Sequence, residues 1–173
     1  MTYHPVVNAI TALLTEKGLA YETFEHEPVR TSEEAARVRP GFSLKQGAKA
    51  IIVRYRKNSG PAFAMFVLPG DRKFDGKKAK EILDTKNLTF ATEEEVEKIT
   101  GGVKVGGVPP FGNLFDLPVF ADRSLFENEK IIFNAGDRRF SIAIKSADYK
   151  EIVNPVILDI AFLNNRHTPQ DGV

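Results

Sequence analysis

Residues Ala48–Leu68 read AKAIIVRYRKNSGPAFAMFVL. Two apolar runs flank Asn58-Ser-Gly-Pro61, a cluster of turn formers. The first run, Ala48–Arg56, carries the β-branched pair Ile52 and Val53 beside Ile51, and Ala62–Leu68 is apolar throughout. Runs of this length around such a turn predict an antiparallel hairpin. Alternation along its first arm places Lys49 on the face of Ile51 and Val53.

Outward from the hairpin, helices and strands alternate irregularly. Val6, Val7, Ile10, Leu13 and Leu14 fall on one helical face, with Gly18 where a terminating glycine belongs. A strand over Ala20–Phe24 follows. Thr31-Ser-Glu-Glu34 reads as a capping box for a helix that stops before Pro40-Gly41. Asp75 is expected to cap a helix through Leu83, and Leu88–Ala91 a short strand. Thr92-Glu-Glu-Glu95 opens another helix, ending at Gly101-Gly102. Val105–Phe115 (VGGVPPFGNLF) is too rich in Gly and Pro for regular structure. Leu117–Ala121, Lys130–Asn134 and Phe140–Lys145 read as strands, with a turn at Ala135–Arg138. Ser146 is expected to cap a short helix, and Pro155–Ile160 to form a last strand. With no internal repeat and no long linker, the pattern predicts one α+β domain with a mixed sheet over residues 1–162. A polar, frayed tail is expected over 163–173.

The 173 residues hold 24 Lys and Arg against 23 Asp and Glu, a net charge of +1. That balance excludes a globally basic nucleic-acid binder and leaves room for a local basic patch. A chain this long buries roughly 70% of its open-chain surface, enough for a core without staples. There is no cysteine, which excludes disulfides, thiolate metal sites and a cysteine nucleophile. Met1–Pro5 has no Lys or Arg ahead of an apolar stretch, so no secretory signal is expected. The longest apolar run, Pro61–Pro69, falls short of the about 20 residues a membrane helix needs. A soluble, cytoplasmic protein is expected.

Several constellations bear on chemistry. Histidine is scarce (His4, His26, His167), and no spacing suggests a metal site. No serine lies in a Gly-x-Ser-x-Gly elbow. His26, flanked by Glu25 and Glu27, reads as a structural or surface residue ahead of a catalytic one. Gly106-Gly-Val-Pro-Pro110 combines glycines that leave amides free with prolines that fix the loop. Such amides suit an oxyanion or a carbonyl, although a stiff connecting turn accounts for the pattern as simply. Lys49 either points into a cavity or snorkels to solvent. Arg54 and Arg56, Arg72 and Lys73, Lys77, and Arg138 and Arg139 are either solvated faces or a phosphate-backbone footprint.

Together these segments resemble the YbaK/prolyl-tRNA synthetase-associated domain family of aminoacyl-tRNA editing domains. The resemblance runs from Tyr21 to Ile160. It is carried by Phe24-Glu-His-Glu-Pro28, by Lys49 opening a strand, and by Leu68-Pro-Gly-Asp71 to Asp75-Gly-Lys-Lys78. Gly106-Gly-Val-Pro-Pro110-Phe-Gly112 matches the family's Gly-x-x-x-Pro loop, and Leu117–Asp122 and Asn134–Arg139 also fit. Some members have a tyrosine at Phe24 and a serine at Pro109. Those departures, with Lys49-Ala-Ile where others have Lys-Thr-Leu, point away from the cysteine-specific branch.

The resemblance implies a mixed, partly closed β-barrel-like sheet surrounded by helices. It implies hydrolysis of the ester joining a wrong, small amino acid to tRNA, in trans, without metal or organic cofactor. Lys49 with the amides of Gly106 and Gly107 would act on the ester, and Pro110, Val108, Phe24, His26 and Asp122 would line the substrate site. The basic residues named above would hold tRNA. The acceptor end of an aminoacyl-tRNA is the expected partner of a monomer, with an aminoacyl-tRNA synthetase as a further one. The rival expectation is a non-catalytic module of this fold that binds a tRNA end, a nucleotide or a protein. A hydrolase for another small ester is the third.

Overall fold

Both arms of the Ala48–Leu68 stretch are strands in the computed structural model, which describes residues 2–163. In chain order the helices are α1 (Pro5–Glu16), α2 (Ser32–Arg37), α3 (Gly76–Ile82), α4 (Glu93–Thr100) and α5 (Ser146–Val153). The strands are β1 (Tyr21–Glu25), β2 (Ala48–Lys57), β3 (Gly60–Pro69), β4 (Arg72–Phe74) and β5 (Leu88–Phe90), then β6 (Val119–Asp122), β7 (Lys130–Asp137), β8 (Phe140–Lys145), β9 (Val156–Leu158) and β10 (Ala161–Leu163). β2 and β3 pair antiparallel from Ala48↔Pro69 to Lys57↔Gly60, so the turn is the two residues Asn58 and Ser59.

That hairpin is the centre of a five-stranded mixed sheet in the order β5-β2-β3-β6-β9, with β6 and β9 parallel to their neighbours. A three-stranded antiparallel sheet, β1-β8-β7, packs on one face. Ala48 and Ile52 of β2 and Met65 and Val67 of β3 meet Ile131, Phe133, Ile142 and Ile144 there. On the other face Val53, Tyr55, Ala64 and Phe66 pack against Ala79 of α3 and Ile160. The α+β domain with a mixed sheet is as expected, but the sheet is not closed. The three-stranded sheet lies against the other face to face, and a single bridge, Gly47↔Ile132, joins them. The edges β5 and β9 have three residues each, too short to wrap a barrel.

Local signals explain most helix starts. Thr31 and Glu34 form a complete capping box on α2, Asp75 accepts from two amides of α3, and Thr92 accepts from Glu95 N. α1 is capped by His4, whose ring accepts from Val6 N. Ser146 is not a cap: it lies inside α5, where its hydroxyl donates to the Asn128 and Glu129 carbonyls, and Lys145 is the capping residue. The expected last strand, Pro155–Ile160, is shortened to β9 and is followed by β10, which was not expected; between them Asp122 Oδ1 accepts the Ile160 amide, and β10 pairs with β4. Leu163 pairs with Arg72 in β10, and the rest of the expected tail lies outside the described residues.

β7 runs to Asp137 through a register shift after Asn134, so the turn falls on Arg138 and Arg139. Gly136 lies in this irregular stretch at φ +102°, against α1. A Cβ there would stand 2.8 Å from Val6 Cβ and 2.9 Å from Val6 Cγ1. Gly136→Ala therefore combines a disfavoured backbone conformation with a clash. It is expected to lower the stability in urea unfolding by ~1–3 kcal/mol; an unchanged midpoint would contradict this packing.

Candidate active site

The sequence from Val29 to Lys49 wraps one end of the central hairpin. Val29 N–H donates to Arg138 O, and α2 then runs across the sheet end. A 3-10 turn, Leu44–Gln46, returns the chain to Gly47 and β2. Opposite lies the loop Val105–Val108. Between them is a cavity of about 290 Å³. Its apolar walls are Ala35, Ala36, Ala48 and Ala50 with the larger Leu44, Ile51, Val105 and Val108, and Arg30, Thr31, Ser32, Arg39, Ser43, Lys49 and Asn134 are its polar side chains.

Lys49 is half-buried, and its ammonium donates to the Arg72 carbonyl. Burial pulls its pKa below the ordinary lysine value, while the Glu33 and Asp71 carboxylates work in the other direction. Asp71 Oδ1 is buried without a hydrogen-bond partner. Gly106 adopts φ +91°, and its carbonyl accepts from Asn134 Nδ2 at 2.6 Å. The N–H groups of Gly106 and Val108 donate to no acceptor among the described residues.

Below the cavity is a polar floor. Arg39 is 6% exposed; its Nε donates to Ser141 Oγ at 3.0 Å and its Nη2 to Asn134 Oδ1 at 3.0 Å. Burial pushes its pKa down to about 10. His26 Nε2 lies 2.7 Å from Ser141 Oγ, and Nδ1 lies 2.8 Å from Glu27 O. The carbonyl can only accept, so Nδ1 carries the proton; in the neutral ring Nε2 is an acceptor for the Ser141 hydroxyl, which also has Asn134 Oδ1 as an acceptor at 3.2 Å. Burial lowers the His26 pKa; the Glu27 carbonyl opposes this, Arg39 adds to it, and Asp137 opposes it.

The structure thus brings Lys49, Gly106 and Val108 to one cavity, and it places the other expected site residues elsewhere. Gly107 N–H is engaged by Lys104 O at 2.9 Å, and its carbonyl accepts from Gly136 N. It lines a different, shallow depression beside Arg138 and Arg139. Pro110 is buried outside the cavity, where its carbonyl accepts from Tyr149 OH at 2.7 Å. Phe24 packs edge-on against Phe42, and Asp122 is buried as a cap for Ser124 and an acceptor for Ile160. His26 reaches the cavity only through Ser141 and Arg39.

The basic residues do not form one rim. Arg138 donates to Val105 O, and Arg139 pairs with Asp137 at 2.7 Å. Arg72 and Lys73 lie on β4, and Lys77 in the first turn of α3. Arg54 and Arg56 lie toward the far end of β2, where with Lys80 and Lys86 they line a broad cleft of about 680 Å³. Glu95 stands 3.9 Å from Arg54. Sequence reasoning missed Arg30, Arg39 and Asn134. Arg39 near the end of a helix reads as a complement to the helix dipole, and nothing in its neighbours marks it as buried.

The profile of the aminoacyl-tRNA editing domain matches residues 26–152. The chain belongs to this family. It is 32% identical over 151 residues to the multifunctional Ser/Thr-tRNA deacylase ProXp-y of Escherichia coli (strain K12), covering 87% of this chain and 89% of that protein. It is 28% identical to the prolyl-tRNA editing protein ProX of Acetoanaerobium sticklandii, over 84% of this chain and 88% of that one. A crystal structure of a candidate trans-editing enzyme for prolyl tRNA synthetase superposes with a TM-score of 0.77 at 24% identity, covering 93% of this chain and 99% of that one. That likeness shows the shared fold. Among the described residues of this editing domain, no three His, Asp or Glu side chains are grouped to hold a metal ion, and no helix is long and apolar enough to cross a membrane.

His26 gives the domain a testable pH dependence. Its folded pKa lies below the ordinary 6.5, so the unfolded chain takes up the proton first as pH falls. Its contribution to stability is present above that value and is lost on acidification toward the folded pKa. Melting temperature should fall between about pH 7.5 and about pH 5.5 by more in the wild type than in His26→Gln. Equal slopes would show that the ring titrates as in the unfolded chain.

Proposed function

We propose that this protein is a free-standing deacylase that hydrolyses the ester of tRNA mischarged with a small amino acid. The observation that supports the reading is one cavity lined by Lys49 and by Gly106 and Val108, whose amides have no acceptor among the described residues. Its membership of the editing family and the printed activities of the two curated relatives support it. The proposed setting is the cytoplasm, and the proposed partner is aminoacyl-tRNA.

An aminoacyl ester is already activated, so modest catalysis suffices. In the proposed reaction, water adds to the ester carbonyl carbon and gives a tetrahedral oxyanion. The Gly106 and Val108 amides receive that charge, as preorganised donors do in acyl transfer. The Gly107 amide has no part, since Lys104 O already holds it. Lys49 orients the substrate and adds positive charge near the oxyanion. The carbon–oxygen bond to the ribose then breaks, and the departing oxygen takes a proton from the attacking water, relayed by the neighbouring ribose hydroxyl. No protein group in the cavity is placed as an evident base, which is why the ribose hydroxyl has this role.

Selectivity follows from the walls. One methylene in an apolar pocket is worth only about 1–3 kcal/mol, but a wall of Ala35, Ala48, Ala50 and Val108 excludes larger side chains by volume. Serine, threonine and alanine esters are the substrates to try. The cleft of Arg54, Arg56, Lys80 and Lys86 is proposed to hold the tRNA backbone, toward the far end of β2 from Lys49.

A deacylation screen over a panel of mischarged tRNAs tests the reading. Lys49→Ala should lower kcat/KM by about 10²-fold on the best substrate, the scale of losing one oxyanion donor. Release of no amino acid from tRNA that is nonetheless retarded on a gel would favour the binding module. An unchanged rate in Lys49→Ala would remove that residue from the mechanism.

A further inference from the structure

The cavity holds a charge that the deacylation chemistry above does not use. Arg39 is 6% exposed, and among the described residues it makes no ion pair. Its two hydrogen-bond partners, Ser141 and Asn134, are neutral. Nη1 donates to no acceptor among the described residues and is not fully buried, and Arg39 lines the cavity, so this nitrogen faces the lumen.

Among the described residues, the cations Arg30, Arg39 and Lys49 line the cavity and no Asp or Glu does. Arg30 is exposed and so keeps its hydration, and Lys49 has Glu33 and Asp71 as electrostatic neighbours. Arg39 has no acid beside it among the described residues, and its Nη1 has only the solvent of the cavity. A largely buried guanidinium with a free donor at the lumen and no acid beside it favours an anion there. The aminoacyl group cannot be that anion, because its carboxylate is esterified and its free amino group is a base. The nearest negative charge in an aminoacyl-tRNA is the phosphodiester that precedes the terminal nucleoside. A guanidinium presents its donors in a planar fork that fits phosphate oxygens.

We propose that Arg39 is a substrate-binding residue whose Nη1 receives the phosphate of the terminal nucleotide, so that the cavity recognises a nucleotide and not a nucleoside. The proposal rests on the deacylase reading for the identity of the natural ligand. Its test does not depend on catalysis. The affinities of adenosine, AMP and free serine are measured by calorimetry for the wild type, Arg39→Gln and Arg39→Lys, each first checked by thermal unfolding.

The wild type should bind AMP at least about tenfold tighter than adenosine at low salt, with the margin shrinking as salt rises. Arg39→Gln should bring AMP to the level of adenosine and leave adenosine unchanged, and Arg39→Lys should fall between. A purely structural Arg39 would instead lower the melting temperature of Arg39→Gln and preserve the AMP preference in the folded fraction. Equal affinity for AMP and adenosine in the wild type overturns the proposal without any variant. Serine bound as tightly as AMP, with the same dependence on Arg39, would assign the guanidinium to a free carboxylate and also overturn it. An AMP preference that depends on Arg39 in a protein that releases no amino acid from tRNA would uphold this site and overturn the deacylase reading.

Discussion

The register of β2 is the constraint on which the site depends. Both faces of this strand are covered: Ala48 and Ile52 face the three-stranded sheet, and Val53 and Tyr55 face α3. A slip of one residue would exchange the two sets and carry Lys49 into the larger core. The two-residue turn at Asn58 and Ser59 and ten paired positions with β3 prevent that slip. Lys49 shares the Val53 face, but it sits where the strand has just begun and the covering helix α3 has given way to the β3–β4 turn. It can therefore be half-buried and still line an open cavity.

The second constraint is polar. Arg39 at the end of α2, Ser141 on β8, Asn134 on β7 and His26 after β1 form one hydrogen-bonded cluster. Asn134 extends it to the carbonyl of Gly106. The cluster thus ties the amide-bearing loop to the three-stranded sheet and to the helix that roofs the cavity. Buried networks of this kind contribute little net stability but disfavour alternative packings, since any displacement leaves a desolvated group unpaired. The loop needs such a tether because its own prolines fix its shape without fixing its place.

Periodicity and capping made the skeleton legible. The hairpin, the helices of Thr31, Asp75 and Thr92, and the glycine after α1 follow from local chemistry that tertiary packing does not overrule. The three-residue strands β4 and β10 were not legible, whereas β5 and β9, equally short, lie in apolar runs that marked them. The cap at Ser146 failed for a tertiary reason, since its hydroxyl is held by the Asn128 and Glu129 carbonyls. At the cavity, alternation left Lys49 open between lumen and solvent, composition marked the loop of Gly106 as a stiff turn or an anion site, and Val108 entered only through the resemblance. Asp122, Pro110 and Gly107 were drawn in by their motifs, yet their polar groups complete main-chain hydrogen bonds. Arg39 was invisible because burial of an arginine is decided by Ser141 and Asn134, about a hundred residues away.

The cavity separates two tasks by charge. Its cations face a substrate whose amino acid has no negative group to offer, so they cannot read the amino acid and must act on the nucleic acid or on charge that develops during reaction. In the proposed reaction the side chain is read by the neutral part of the lining, in which small apolar residues such as Ala35, Ala48 and Ala50 stand beside the hydroxyls of Thr31, Ser32 and Ser43. A site of that kind selects by size and polarity of the side chain, so it cannot itself tell a correctly charged tRNA from a wrong one bearing the same small amino acid. That distinction has to come from the RNA. Near-neutral overall charge fits this division: with 24 basic and 23 acidic residues there is little general attraction for nucleic acid, and local groupings of basic residues have to supply it.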